Sequence, residues 1–94
     1  MKDKLLQIVS HYGIDKQLKY IHTEYYELDE AIIEFQETRR FSTKDHITEE
    51  IADVMVMLKQ FQYYYGIEDK QVENVMQYKI DRQLDRIEKE KNNE

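Results

Sequence analysis

Two pairs of carboxylates, Glu24 with Glu27 and Glu50 with Asp53, lie three residues apart within each pair. On a helix, residues at i and i+3 share a face, so two such pairs on packed helices would offer four oxygen ligands to one point. An all-oxygen donor set suits magnesium or manganese rather than zinc. Carboxylates gathered at low dielectric repel one another, and a divalent cation relieves that repulsion. Spacing alone leaves a second reading open: with 20 acidic residues in the chain, E-x-x-E and E-x-x-D arise by chance, and most helical acids are simply solvated.

The elements that must position these pairs are helices. The sequence of 94 residues has no proline, two glycines and 36% charged residues, a composition that predicts one all-α domain spanning residues 1–94. A first short helix is expected from Asp3 to Tyr12, with Leu5, Ile8 and Val9 at helical spacing and Gly13 as its stop. A second should run from Asp15 to Arg39, its apolar stripe being Leu18, Ile21, Tyr25, Leu28, Ile32 and Phe35. After a turn near Phe41, with Ser42 or Thr43 as N-cap, a third is expected from Lys44 to Tyr65. Its stripe is Ile47, Ile51, Val54, Leu58, Phe61 and Tyr65, and Gly66 ends it. The fourth, Asp69 to Lys89, uses Val72, Val75, Met76, Ile80, Leu84 and Ile87, and the polar tail 88–94 is expected to fray. The sum is a small bundle of about four helices built around a long antiparallel helical hairpin. In that hairpin the two acidic pairs lie on matching flanks, about one turn apart in height.

Other chemistries are poorly supported. The chain has no cysteine, hence neither disulfides nor thiolate ligands. His11, His22 and His46 fall in three separate segments, with only His22 near an acidic pair. No glycine-rich phosphate loop or nucleophile constellation is present. A net charge of −6 disfavours long contact with a nucleic-acid backbone, so no direct nucleic-acid binding is expected. No apolar run is long enough for a membrane span, and the start Met-Lys-Asp-Lys-Leu-Leu-Gln lacks the long apolar core of a secretory signal. The expected location is the cytoplasm. A domain this short gains stability by self-association, and a homodimer or homotetramer is expected.

The stretch Gln17-Leu18-Lys19-Tyr20-Ile21-His22-Thr23-Glu24-Tyr25-Tyr26-Glu27-Leu28, followed by Ile47-Thr48-Glu49-Glu50-Ile51-Ala52-Asp53-Val54, resembles the MazG-like nucleotide pyrophosphohydrolases. The order E-x-x-E-L and then E-E-I-A-D-V is similar to the signature of that all-α superfamily. Lys79-Ile80-Asp81-Arg82-Gln83-Leu84-Asp85-Arg86-Ile87 is similar to the C-terminal helix of its small, phage-type members. The resemblance implies magnesium as cofactor, with manganese as a substitute, and Glu24, Glu27, Glu50 and Asp53 as ligands. The implied reaction hydrolyses a nucleoside triphosphate to monophosphate and pyrophosphate by attack of water at the α-phosphorus. Glu50, Asp53 or the neighbouring Glu49 would take the proton, and Lys79 and Arg82 would bind phosphate. Thr23 stands where the family carries a further glutamate.

Two more residues are candidates for substrate contact. Tyr26 lies off the apolar stripe beside the first acidic pair, and Gln17 lies two turns before Glu24. The rival reading is a helical-bundle interaction or regulatory protein that kept the fold while its site decayed, and Thr23 is the residue that favours it.

Overall fold

The computed structural model describes residues 1–37 and 42–93. Four helices follow in order: α1 Lys2–Tyr12, α2 Ile14–Glu37, α3 Lys44–Tyr64 and α4 Asp69–Asn92. No strand occurs among the described residues, and the protein is all-α. The expected end of the second helix at Arg39 and the turn at Phe41 lie outside the described residues. No helix among the described residues is long and apolar enough to cross a membrane.

Local sequence sets the breaks between helices. Gly13 has φ 89°, a conformation that costs glycine little and other residues much more. Its N–H closes α1 on the Val9 carbonyl at 2.8 Å, and its own carbonyl receives the Gln17 N–H at 3.2 Å to open α2. Gly66, at φ 70°, follows the α3 C-cap Tyr65, and its N–H bonds the Tyr63 carbonyl at 3.1 Å. Of the two expected caps for α3, Thr43 is the one used: its hydroxyl accepts the His46 N–H at 3.1 Å. Thr43→Ala is therefore expected to cost about 1 kcal/mol, measurable by urea denaturation at fixed protein concentration. Ser42 is buried instead and donates to Glu34 Oε2 at 3.1 Å, tying the start of α3 to the end of α2.

α2 and α3 run in opposite directions along their contact. Gln17 meets Gln60 at one end and Glu34 meets Ser42 at the other. α1 lies against α3 and touches α2, burying Leu5 and Val9. The remaining buried apolar residues are Ile21, Ala31, Val54, Met57 and Tyr63. This core departs from the periodicity. Leu18, Tyr25, Ile32, Ile51 and Leu58, expected inside, are each more than 40% exposed. The α2–α3 contact is centred instead on the adjoining row Gln17, Ile21, Glu24 and Ala31. Small and polar residues let the helices approach there, and α1 covers that side.

α4 runs on to Asn92, past the expected frayed tail from Glu88, with Lys89 paired to Asp85 at 3.1 Å across one turn. None of its residues is buried, and its backbone packs against no other helix. Its start is fastened by one carboxylate: Asp69 accepts from Lys59 Nζ at 2.7 Å, Gln62 Nε2 at 2.8 Å and the Tyr63 hydroxyl at 2.8 Å. These donors, Lys59 first, hold its carboxyl well below the usual aspartate range. A depressed carboxyl pKa contributes stability that is complete above the unfolded-state value and is lost as pH falls through the folded-state value. Wild type should accordingly melt higher than Asp69→Asn at neutral pH, with the gap closing in strong acid. A gap that persists unchanged into strong acid would refute this account of the corner.

Candidate metal centre

Glu24 and Glu27 from α2 and Glu50 from α3 each place one carboxylate oxygen so that the three lie within 4.8 Å of one another. Glu24 is 5% exposed. Its Oε2 and Glu50 Oε2 are both buried and receive no hydrogen bond. A buried carboxylate oxygen without a donor bears its desolvation uncompensated. Burial pushes the Glu24 carboxyl above its ordinary value, a hydrogen bond from Tyr20 opposes the rise, and the charges of Glu27 and Asp53 add to it. Tyr20 is shifted in turn, its hydroxyl raised chiefly by the bond it gives to Glu24.

A hard divalent cation fits this donor set. The ligands are all oxygen, they come from two helices held by the core, and two of their oxygens lack any protein donor. Magnesium or manganese would be held by Glu24, Glu27 and Glu50.

Asp53, the fourth expected ligand, is exposed and stands apart from the three-oxygen cluster. It lines an adjoining cleft of about 260 Å³ together with Gln17, Tyr20, Glu24, Met57 and Gln60. Three residues beyond Glu50, its side chain leaves α3 about 60° round, on the side that lines this cleft. Its charge nonetheless acts on Glu24.

Behind the carboxylates, Gln17 Nε2 donates to Gln60 Oε1 at 2.8 Å, and Gln60 Nε2 to Met57 Sδ at 3.6 Å. Gln17 is thus a buried residue of the cleft wall. On the other side, a cleft of about 220 Å³ is lined by Glu27, Glu30, Glu34, His46 and Glu50. His46 Nε2 lies 3.4 Å from Glu50 Oε1, and its Nδ1 lies 3.4 Å from the Ser42 hydroxyl.

The other expected site residues lie elsewhere. Tyr26 is exposed, and a hydrogen bond to Glu30 raises its hydroxyl pKa. Glu49 is exposed on α3 outside the cluster. Lys79 lines an apolar groove with Ile67, Val72, Val75 and Met76, and Arg82 sits 5.8 Å from the Tyr78 ring. Neither cation is brought to the carboxylates within one chain. Sequence reasoning overlooked Tyr20, His46 and Gln60. The first two carried a legible signal, because each precedes its carboxylate by four residues, Tyr20 before Glu24 and His46 before Glu50. Gln60 did not, since burial of a glutamine is a tertiary outcome. Among known proteins, no family model, curated sequence or solved structure matches this chain.

Proposed function

We propose that the protein is a magnesium-dependent nucleoside triphosphate pyrophosphohydrolase, acting in the cytoplasm as a homo-oligomer. The observation that carries the proposal is the cluster of Glu24, Glu27 and Glu50, with two buried oxygens lacking donors. The motif resemblance supplies the substrate class. When bound, the cation neutralises charge on phosphate oxygens and makes water more acidic.

The protein's own groups do the rest. Glu24, Glu27 and Glu50 would hold the cation. Tyr20 donates to Glu24 and favours its ionised, ligating form. Asp53, an exposed carboxylate on the wall of the adjoining cleft, is placed to take a proton. In the reaction, a water oxygen bonds to the α-phosphorus, the bond from that phosphorus to the pyrophosphate oxygen breaks, and the water's proton passes to the Asp53 carboxylate. At about 260 Å³, the cleft falls below the volume that encloses a drug-sized ligand, so it suits a phosphate group with the base lying outside.

Purified protein with magnesium should release pyrophosphate from at least one member of a panel of ribo- and deoxyribonucleoside triphosphates. Absence of release across the panel would defeat the hydrolase reading. Asp53→Asn should lower turnover roughly 100-fold or more with magnesium affinity nearly unchanged, and a variant of full activity would remove Asp53 from the mechanism. A second reading, a non-catalytic interaction protein, is favoured by the placement of Lys79 and Arg82 on α4, outside both clefts at the carboxylates: within one chain, a phosphate there would meet neither of these two cations. That reading predicts magnesium binding without turnover.

A further inference from the structure

The cleft beside the carboxylates needs positive charge before it can hold an anion. Glu24 and Asp53 line it, and both repel a phosphate unless cations stand near. Neither Lys79 nor Arg82 is among its wall residues. The charge of the chain is, however, unevenly placed. Residues 1–23 hold four lysines against two aspartates, although the whole chain carries −6. α1 and the start of α2 are thus the basic part of an acidic molecule.

Helical geometry brings two of those lysines to the cleft. Ile8 of α1 and Tyr20 of α2 are wall residues. Lys4 precedes Ile8 by one turn, and Lys16 precedes Tyr20 by one turn. Each lysine therefore shares a helix face with a wall residue, about 40° round and about 6 Å along the axis. Both lysines are exposed, and neither pairs with a carboxylate among the described residues. Lys16 Nζ lies 5.2 Å from the centroid of the Tyr12 ring. Tyr12 stands one turn beyond Ile8 on α1, so this cation–π contact holds Lys16 toward the α1 side of the Gly13 corner. The remaining two lysines go elsewhere. Lys2 is held at Tyr63 and Glu68, and Lys19 leaves α2 about 100° from Tyr20.

We propose that Lys4 and Lys16 bind the two terminal phosphates of the substrate, the part that leaves as pyrophosphate. The inference rests on the pyrophosphohydrolase reading and names the groups by which the chain would grip its substrate. A cleft of about 260 Å³ takes the phosphate under attack beside Asp53. Charge carried outside it, and charge that grows on the pyrophosphate oxygen as its bond to the α-phosphorus breaks, falls to the lysines at the rim. Both ammonium groups keep their protons throughout, and Asp53 remains the proton acceptor. Lysine suits this place, because a compact charge with three donors on a flexible stem reaches over a rim to phosphates beyond it. α1, a brace by its packing, thereby becomes part of the substrate site.

The test is calorimetric titration of the full chain with inorganic pyrophosphate in excess magnesium, which reads binding without turnover. Wild type should bind saturably. Lys4→Gln and Lys16→Gln should each weaken binding by about 10-fold or more, the loss expected for a charged hydrogen bond. Lys16→Arg should restore most of the affinity, and Lys70→Gln, at an exposed lysine in the first turn of α4, should leave it unchanged. All four positions of substitution are exposed or retain charge, so helix content by circular dichroism should match wild type. Triphosphate cleavage measured in parallel separates the two claims. Cleavage with pyrophosphate binding equal in wild type and the glutamine variants would overturn the lysine assignment and leave the hydrolase reading standing. No cleavage, with binding present in wild type and weakened in both variants, would defeat the hydrolase reading and leave the lysine site standing. A wild type that binds no pyrophosphate, or a Lys4→Gln or Lys16→Gln variant that binds it as wild type does, would overturn the proposal.

Discussion

Glu24→Gln should abolish saturable magnesium binding and, with it, pyrophosphate release, while making the metal-free protein more stable. The loss of binding follows from ligand chemistry: a hard cation that these three carboxylates would hold would lose both a charge and its most buried ligand. The gain in stability follows from the orphaned oxygen. Without a cation, Glu24 Oε2 is buried with no donor, and burial already favours its protonated form. A neutral amide of the same shape removes that burden, raising apo stability by about 1 kcal/mol. Thermal melts with and without magnesium should therefore cross: wild type lower without metal and higher with it, the variant insensitive. A residue that merely packs would give the opposite sign, because losing its contacts would lower both curves. Glu50→Gln should behave alike, though less strongly in the apo protein, because Glu50 is less buried than Glu24.

The second large effect is expected at Gln60, which is 1% exposed. Gln60→Ala removes the partner of Gln17 Nε2, leaves that donor buried, and opens a cavity beside Met57. An orphaned buried amide and a lost core side chain together should cost about 2 to 4 kcal/mol. In a chain of this size that lowers the melting temperature by roughly 10 to 20 °C. The double replacement Gln17→Leu with Gln60→Leu removes donor and acceptor together and should recover most of the loss, since an apolar pair of similar volume leaves nothing unpaired. Denaturant titrations of the two single variants and the double variant, at one protein concentration, give the coupling directly. Additive losses would mean that the two glutamines act independently.

The helices were legible in the sequence because their punctuation is local. Gly13 and Gly66 both adopt the positive φ expected of helix stops, and Thr43 supplies the cap that its position promised. The core was less legible, for a physical reason. Periodicity reports which residues of a helix share an apolar face, not which face its neighbours cover, so Leu18, Tyr25, Ile51 and Leu58 read as core and yet stand half exposed. The true α2–α3 seam mixes Ile21 and Ala31 with Gln17, Glu24 and Gln60, and a search for apolar stripes passes over its polar members. The same seam explains why the carboxylates converge: Glu24 lies inside it rather than at its rim. Three of the four expected ligands gather there. Asp53 does not: it lines the adjoining cleft, and spacing alone could not tell it from Glu27, which lies three residues beyond Glu24 and stays in the cluster. Lys79 and Arg82 could not be placed from periodicity, because where α4 goes is decided at the Asp69 corner.

The central claim is that Glu24, Glu27 and Glu50 form one divalent-cation site, and manganese titration followed by electron paramagnetic resonance tests it most directly. Free manganese gives a strong solution signal that is lost on binding, so occupancy can be read without any substrate. Wild type should quench the signal saturably, magnesium should compete for the same site, and Glu24→Gln should leave the signal as in buffer. Failure of wild type to quench the signal, or equal quenching by Glu24→Gln, would contradict the account.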